Sequence, residues 1–380
     1  MKIVVLFLVL LVFMTGCERE VSYFTWKDEG KSEIREEAKV PRWAKGEIKS
    51  PIEEGPFEFR GIDLYPVPEP YSKENLSSLK ALLRVEEVNW IQLRFFLYQE
   101  DLESSEVSTN PLQDEIIREM IEMIQESGRK VSLKPHLIVG DDTIFWAGQI
   151  RPKDTKLWFS SYKKGLLPYA NMGADLFAIG NEMVSMWEHH GEWEKLIEEV
   201  REIHSGKVTV KLNSFWQKDY FPRLLEMEWL GDLDYIGFSP YFDLVSDIPS
   251  GVEEIKEGWY NTRHGLNVVE KMERLSKKFQ KEIIFLEIGY RSVSGSPIEP
   301  WNYETRVPRV SGKEITPNQT MQKWASQAVF EVFSEKEWFA GTFFFHWPVR
   351  IIIDPSDISW SLPGKEVEEL IWDKYKGRKE

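Results

Sequence analysis

Leu176-Phe-Ala-Ile-Gly-Asn-Glu182 and Glu282-Ile-Ile-Phe-Leu-Glu287-Ile-Gly-Tyr290 are apolar runs of strand length, and each delivers a glutamate at its end. A carboxylate is costly to desolvate, so a strand that carries one into its neighbours' interior usually does so for chemistry. Two of them suggest an acid and a nucleophile. Runs of the same kind recur on either side of this pair, at 59–66, 88–98, 130–139, 207–215, 233–242 and 339–349, which brings the set to eight. Helical patterns lie between them. In 111–127 the residues Ile116, Ile117, Met120, Ile121 and Ile124 repeat at three and four, opened by Asn110-Pro111 and stopped by Gly128. Others span 192–203, with Leu196, Val200 and Ile203 on one face, and 320–333, with Trp324, Ala328 and Val332. Near-continuous apolar strands separated by amphipathic helices imply a parallel sheet covered by helices. Eight such units favour an α/β fold closed as a (β/α)8 TIM barrel over an open doubly wound sheet. The first run is also not followed by the Gly-x-Gly-x-x-Gly turn of a dinucleotide site.

The chain has 380 residues, a length that suits one barrel with long loops, and a globular balance of 42% hydrophobic and 29% charged residues. Its net charge of -15 would repel nucleic acid and suits a neutral substrate. The 16 Trp and 13 Tyr exceed what a core requires, so some are expected to form surfaces that stack on flat apolar faces. Cys17 is the only cysteine, which removes disulfides and thiolate clusters from consideration. His189 and His190 are adjacent and no His-x-x-x-His pair occurs, while Asp141-Asp142 reads as a solvated turn, so no metal is expected. No Gly-x-Ser-x-Gly or phosphate loop appears.

The N-terminus carries a targeting signal. Lys2 precedes an unbroken apolar stretch from Ile3 to Phe13, too short to span a bilayer but matched to the centre of a signal peptide. Met14-Thr-Gly-Cys17 resembles a bacterial-type lipobox, so residues 1–16 are expected to be removed and Cys17 to carry a lipid that anchors the chain to a cell-surface membrane. Plain secretion is the alternative. Residues 17–55, rich in Glu, Lys and Arg, read as a charged tether in which Trp26 and Trp43 could dock locally, and 56–380 as the catalytic barrel.

In a barrel, Glu182 and Glu287 would end the fourth and seventh strands, at the face where barrel enzymes place their chemistry. Alternation sets Ala178, Gly180 and Glu182 on one face, small residues that leave room beneath the glutamate, and Ile283, Phe285 and Glu287 on one face. Together with Lys134-Pro-His136, Trp158-Phe-x-x-Tyr162, Gly180-Asn-Glu182, Asp234-Tyr-Ile-Gly237, Tyr241-Phe242, Glu287-Ile-Gly-Tyr-Arg-Ser292, Trp301 and His346-Trp347, this pattern resembles the barrel-fold clan of retaining glycoside hydrolases. It most resembles glycoside hydrolase family 113, the β-mannanases, over residues 59–372.

The resemblance implies a β-mannan or manno-oligosaccharide substrate, no cofactor, Glu182 as acid/base and Glu287 as nucleophile. Glu182 should then be protonated and Glu287 ionised. Arg94, ending the second run, is expected to keep Glu287 ionised through a bidentate contact, with a rim ion pair to Glu100 or Asp101 as its alternative. Tyr241 matches the clan tyrosine that hydrogen-bonds the nucleophile, and Asn181 the asparagine that meets the sugar 2-hydroxyl. His136 and Trp347 would line the subsite beside the scissile bond, the indole as a stacking platform, although Lys134-Pro-His136 could simply shape a strand end. Trp146, Trp216 and Trp301 could extend the groove. Two rival functions remain at this stage: another β-glycanase or exo-β-mannosidase of the same clan, and a surface lipoprotein that captures oligosaccharide without cleaving it.

Overall fold

A computed structural model describes residues 41–66, 71–72, 76–140, 146–214, 220–302, 309–310, 313–314 and 316–377. The signal peptide, Cys17, Trp26, Asp141, Asp142 and Trp216 lie outside them. Numbering the barrel strands alone, the chain runs through β1 (Phe59–Tyr65), β2 (Trp90–Gln99), β3 (Lys130–Val139), β4 (Leu176–Asn181), β5 (Lys207–Asn213), β6 (Tyr235–Ser239), β7 (Glu282–Ile288) and β8 (Phe339–Pro348). Each strand pairs in parallel with the next. The pairings of β1 with both β2 and β8 close the sheet into the expected (β/α)8 barrel.

The helices are α1 (Leu76–Leu82), α2 (Asp114–Glu126), α3 (Thr155–Ala170), α4 (His190–Ile203), α5 (Tyr220–Glu226), α6 (Val252–Tyr260), α7 (Val268–Phe279), α8 (Gln319–Phe333) and α9 (Glu366–Lys376). The isoleucine and methionine stripe of α2 is buried as its spacing predicts. Asp154, Asn267 and Asn318 cap α3, α7 and α8 by accepting backbone N–H bonds, which fixes where each helix begins. On α4 the buried stripe is Trp193, Leu196, Ile197 and Val200, whereas Ile203, expected on that face, is exposed. It is the last residue of the helix and lies at the edge of the stripe, which continues into the buried His204.

Inside the barrel, side chains stack in layers. The floor is aromatic: Phe59 lies 4.7 Å from Trp90, 5.0 Å from Tyr235 and 5.9 Å from Phe343 between ring centres. Two residues further along the strands stand Gly61, Gln92, Ser132, Thr209 and Gly237, and two further again Asp63, Arg94, Lys134, Lys211 and Ser239. A Cβ on Gly61 would meet the Phe343 ring at 2.3 Å, so the bare backbone there makes room for the floor. Period-two alternation thus raises a polar, charged layer above a dry one.

The charged segment before β1 is docked from residue 41 on, more firmly than a tether would be. Trp43 is buried edge-on against Trp347 (5.5 Å), and Arg60 donates to the carbonyls of Ile52 (2.6 Å) and Glu54 (2.8 Å). Arg129 donates to Lys49 O at 2.8 Å.

Candidate active site

Three strand ends depart from alternation, and these departures shape the site. On β4 the pairing with β5 slips between Ala178 and Asn181, and the space where a Gly180 Cβ would stand is filled by Trp187 (2.8 Å) and Trp193 (3.2 Å) of the helical layer. Gly180 therefore makes room outside the barrel, not beneath Glu182 as alternation predicts. Glu182 itself adopts φ 54°, the left-handed region, which costs an L-residue about 1–2 kcal/mol. On β7 the register slips again: Phe285 packs outward on Phe333 (4.8 Å) and Phe339 (4.8 Å), while Leu286 and Glu287 both point inward. Ile283 and Phe285 consequently do not share a face with Glu287. A bulge of this kind re-aims a side chain at a strand's end.

The third departure corrects Trp347. In the β1–β8 register Asp63 pairs with Phe345 and Leu64 with Trp347, so His346 is the extra residue and the next side chain is turned outward. Trp347 is fully buried in the core, its Nε1 donating to Ser78, and is no sugar platform. Phe345 takes the inward place, 5.0 Å from the Tyr65 ring and 6.2 Å from Trp360, with the Arg291 guanidinium 5.5 Å from Trp360.

The two glutamates meet over β5. Lys211 Nζ donates to Glu287 Oε2 at 2.5 Å and lies 3.2 Å from Glu182 Oε1, so these two oxygens cannot be farther apart than the two contacts laid end to end. Lys134 Nζ donates to Glu287 Oε2 (2.9 Å) and to Asp63 Oδ2 (2.6 Å), and Tyr241 OH donates to Glu287 Oε1 (3.2 Å). Burial alone would push the Glu287 carboxyl up, but Lys134, Lys211 and Arg94 outweigh it and hold the group well below the usual carboxylate range. Glu182 accepts from Ser239 Oγ at Oε1 and from Trp146 Nε1 at Oε2 (3.3 Å).

Arg94 makes neither of its expected contacts. Its Nη2 donates to both oxygens of Asp63 (2.7 and 2.8 Å) and its guanidinium stacks 4.1 Å above Tyr65. Asp63 also accepts from Gln92 Nε2 at 2.9 Å, and despite full burial, which raises it, Arg94 and Lys134 keep it ionised. The reason lies in the register: Asp63 is level with Gln92 on the adjacent strand, closer to Arg94 than a glutamate across the barrel. Lys134 is pressed by burial to about 8, with Asp63 and Glu287 opposing the fall.

Asn181 is buried with Oδ1 lacking a hydrogen-bond partner among the described residues, beside Glu182. His136 stands above Lys134 on the same face of β3, its ring 5.6 Å from Phe96. Trp301 is 49% exposed, yet its Nε1 donates to the buried Asp243 (2.8 Å), which Arg263 (2.7 Å) and His264 (2.9 Å) also hold. Nine of the 16 tryptophans, among them Trp158, Trp187 and Trp193, are buried, so most of the indoles serve the core.

The sequence-based reading missed Asp63, Lys134, Lys211 and Ser239. Their signal was present: each is a polar residue at an alternate position within an apolar strand run.

The profile of glycoside hydrolase family 113 matches residues 69–357. A search of curated protein sequences finds no match. Among solved structures, the fold is similar to the family 113 β-mannanase AaManA from Alicyclobacillus acidocaldarius in complex with ManMIm, with a TM-score of 0.69 and 24% identity over 86% of this chain and 98% of that one. A family 113 β-1,4-mannanase is similar with a TM-score of 0.69 and 21% identity over 85% of this chain and 100% of that one. The β-glucuronidase of Faecalibacterium prausnitzii is more remote, with a TM-score of 0.54 and 13% identity over 86% of this chain and 50% of that one. With its barrel and its paired carboxylates, this chain belongs to glycoside hydrolase family 113.

Proposed function

We propose that the protein hydrolyses β-1,4-mannosidic bonds in mannan or manno-oligosaccharides with retention of configuration, Glu182 acting as acid/base and Glu287 as nucleophile. The observation that carries this is the single ammonium of Lys211 in contact with both carboxylates. Its two contacts confine the nearest oxygens to a separation below the roughly 6.5 Å at which inverting pairs begin, and compatible with the roughly 5 to 5.5 Å of retaining ones. The mannose specificity draws on family membership and on the similar structures described as β-1,4-mannanases.

In the first step a Glu287 oxygen bonds to the anomeric carbon as the glycosidic C–O bond breaks, and the Glu182 proton passes to the leaving oxygen. In the second, water attacks the anomeric carbon, its proton passes to Glu182, and the ester electrons return to Glu287. Carboxyl groups and water suffice, so no cofactor is needed. Tyr241 steadies Glu287, Asn181 Oδ1, without a partner among the described residues, would accept from the sugar 2-hydroxyl, and Phe345 with Trp360 would supply the stacking platform expected of Trp347. His136 and Trp146 line the mouth, and Trp301 offers a platform farther out. Arg94, paired with Asp63, adds its charge to those that keep Glu287 ionised.

Product analysis with mannohexaose tests the whole scheme. Short manno-oligosaccharides released first as β-anomers are expected, and Glu182→Gln and Glu287→Gln should each lose nearly all turnover while folded. Initial α-anomers, or unchanged turnover in either variant, would reject it. By the same proposal Cys17 carries a lipid anchor at the cell surface; Cys17→Ala should move the protein from the membrane fraction to the medium, and an unchanged distribution would reject the anchor.

A further inference from the structure

Within the double displacement proposed above, the negative charge of the carboxyl pair changes address. It sits on Glu287 in the free enzyme. Once Glu287 is esterified and Glu182 has given up its proton, it sits on Glu182. The charge of the pair is the same in both states, yet a fixed counter-ion beside one carboxylate would leave the other unsupported in half of the cycle.

Lys211 contacts both. Its side chain is 3% exposed, and an unpaired ammonium so deep would be costly, so it must follow whichever carboxyl is charged. In the arrangement described here it hydrogen-bonds Glu287 and stands at the longer distance from Glu182. Lys134 is different. It is fixed between Asp63 and Glu287, and Asp63 in turn is clamped by Arg94. The charged groups that face Lys211 are Glu182 at the end of β4, Glu287 from β7, Arg94 from β2 and Lys134 from β3, which shares Glu287 Oε2 with it; burial lowers its proton affinity, but the two glutamates more than compensate, so it stays charged.

We propose that Lys211 is a positioning residue that serves as the shared counter-ion of the cycle, moving its contact from Glu287 to Glu182 when the glycosyl-enzyme forms and thereby holding Glu182 ionised as the base for the second step.

The test uses the full chain and a dinitrophenyl β-mannoside, whose leaving group needs no proton, so that turnover reports the second step. Lys211→Met should lose about a hundredfold in kcat, within what a general base contributes. Its Glu182 then retains a proton, so azide, which attacks without a base and is no longer repelled, should restore turnover and yield β-mannosyl azide. Lys134→Met should lose turnover without azide rescue, because azide cannot assist Glu287 as a leaving group. Lys211→Arg, which keeps the charge, should remain insensitive to azide, and Lys211→Gln replaces the Met variant if that fails to fold. Glu182→Ala separates the two levels of the argument. If it gives mannosyl azide and Lys211→Met does not, or if Lys134→Met is rescued equally, the shared counter-ion is overturned while the acid/base assignment stands. If Glu182→Ala gives no mannosyl azide, the acid/base assignment falls and the counter-ion role with it.

Discussion

Asp63→Asn removes one charge from a buried cluster in which each cation has a named partner. The carboxylate is fully buried and accepts from Arg94 Nη2 at 2.7 and 2.8 Å, Lys134 Nζ at 2.6 Å and Gln92 Nε2 at 2.9 Å. Breaking a buried ion pair from one side costs about 3–5 kcal/mol, because the surviving charge is left without compensation. The variant has a partial escape. Burial brings Lys134 down to about 8 and Asp63 is the strongest influence holding it up, so without Asp63 the ammonium sheds its proton at lower pH. Each unit of pH below the pKa costs about 1.4 kcal/mol to that escape. The stability loss should therefore be about 3 kcal/mol near pH 6 and smaller near pH 9.

The sign follows from proton counting. In the parent protein the folded Lys134 value lies below its ordinary 10.5, so between about 8 and 10.5 the unfolded chain binds more protons and stability rises with pH. In the variant that window opens at lower pH. Glu287 and Asp63 repel one another in the parent, and at the acid pH where Glu287 titrates Lys134 is charged and keeps Glu287 as its partner, so activity that needs Glu287 ionised should persist to lower pH on acidification. Urea unfolding at pH 6 and pH 9, with a pH profile of kcat/KM, reads both effects. A loss below about 1 kcal/mol at pH 6, or an acid limb that moves to higher pH, would refute the reasoning.

Trp347→Ala should destabilise by about 3–5 kcal/mol as a core truncation and leave KM for mannohexaose unchanged, whereas Phe345→Ala should raise KM several-fold; the opposite pattern would return the platform to Trp347. Gly180→Ala places a Cβ 2.8 Å from the buried Trp187 ring and should cost about 1–3 kcal/mol in urea unfolding, with a neutral result disproving the outward bulge. Trp301→Phe keeps a ring but removes the bond to Asp243, so it should raise KM for mannohexaose and not for an aryl mannoside; equal effects on both would remove Trp301 from the outer groove.

The barrel was legible because its evidence is local. Each strand shows as a short segment rich in apolar residues and each helix as a stripe at three and four, and all eight runs fall on strands with ends a few residues apart. The glutamates were legible for the same reason, as charges at the ends of such runs. What failed was the assumption that side chains alternate to the end of a strand. The slips at Ile179–Gly180, Leu286–Glu287 and His346 are properties of a strand and its neighbour together, and nothing in one run announces them. Asp63, Lys134 and Lys211 are a different case. Alternation does hold for them, and charged residues at every second place of an apolar run mark an inward polar layer. Arg94 was paired with the wrong carboxylate because cross-strand register outranks distance along the sequence, and Asp63 is its neighbour only once β1 and β2 are laid side by side.

The aromatic floor of Phe59, Trp90, Tyr235 and Phe343 gives the barrel one entrance. Water cannot rise from beneath the carboxylates, so whatever completes the second step must come through the mouth that the departing sugar has just vacated. That makes hydrolysis a competition between water and any other hydroxyl waiting there. At high oligosaccharide concentration the same site should join sugars as well as part them, giving products longer than the starting chain; their absence under those conditions would mean that the outer groove holds acceptors too weakly to compete with water.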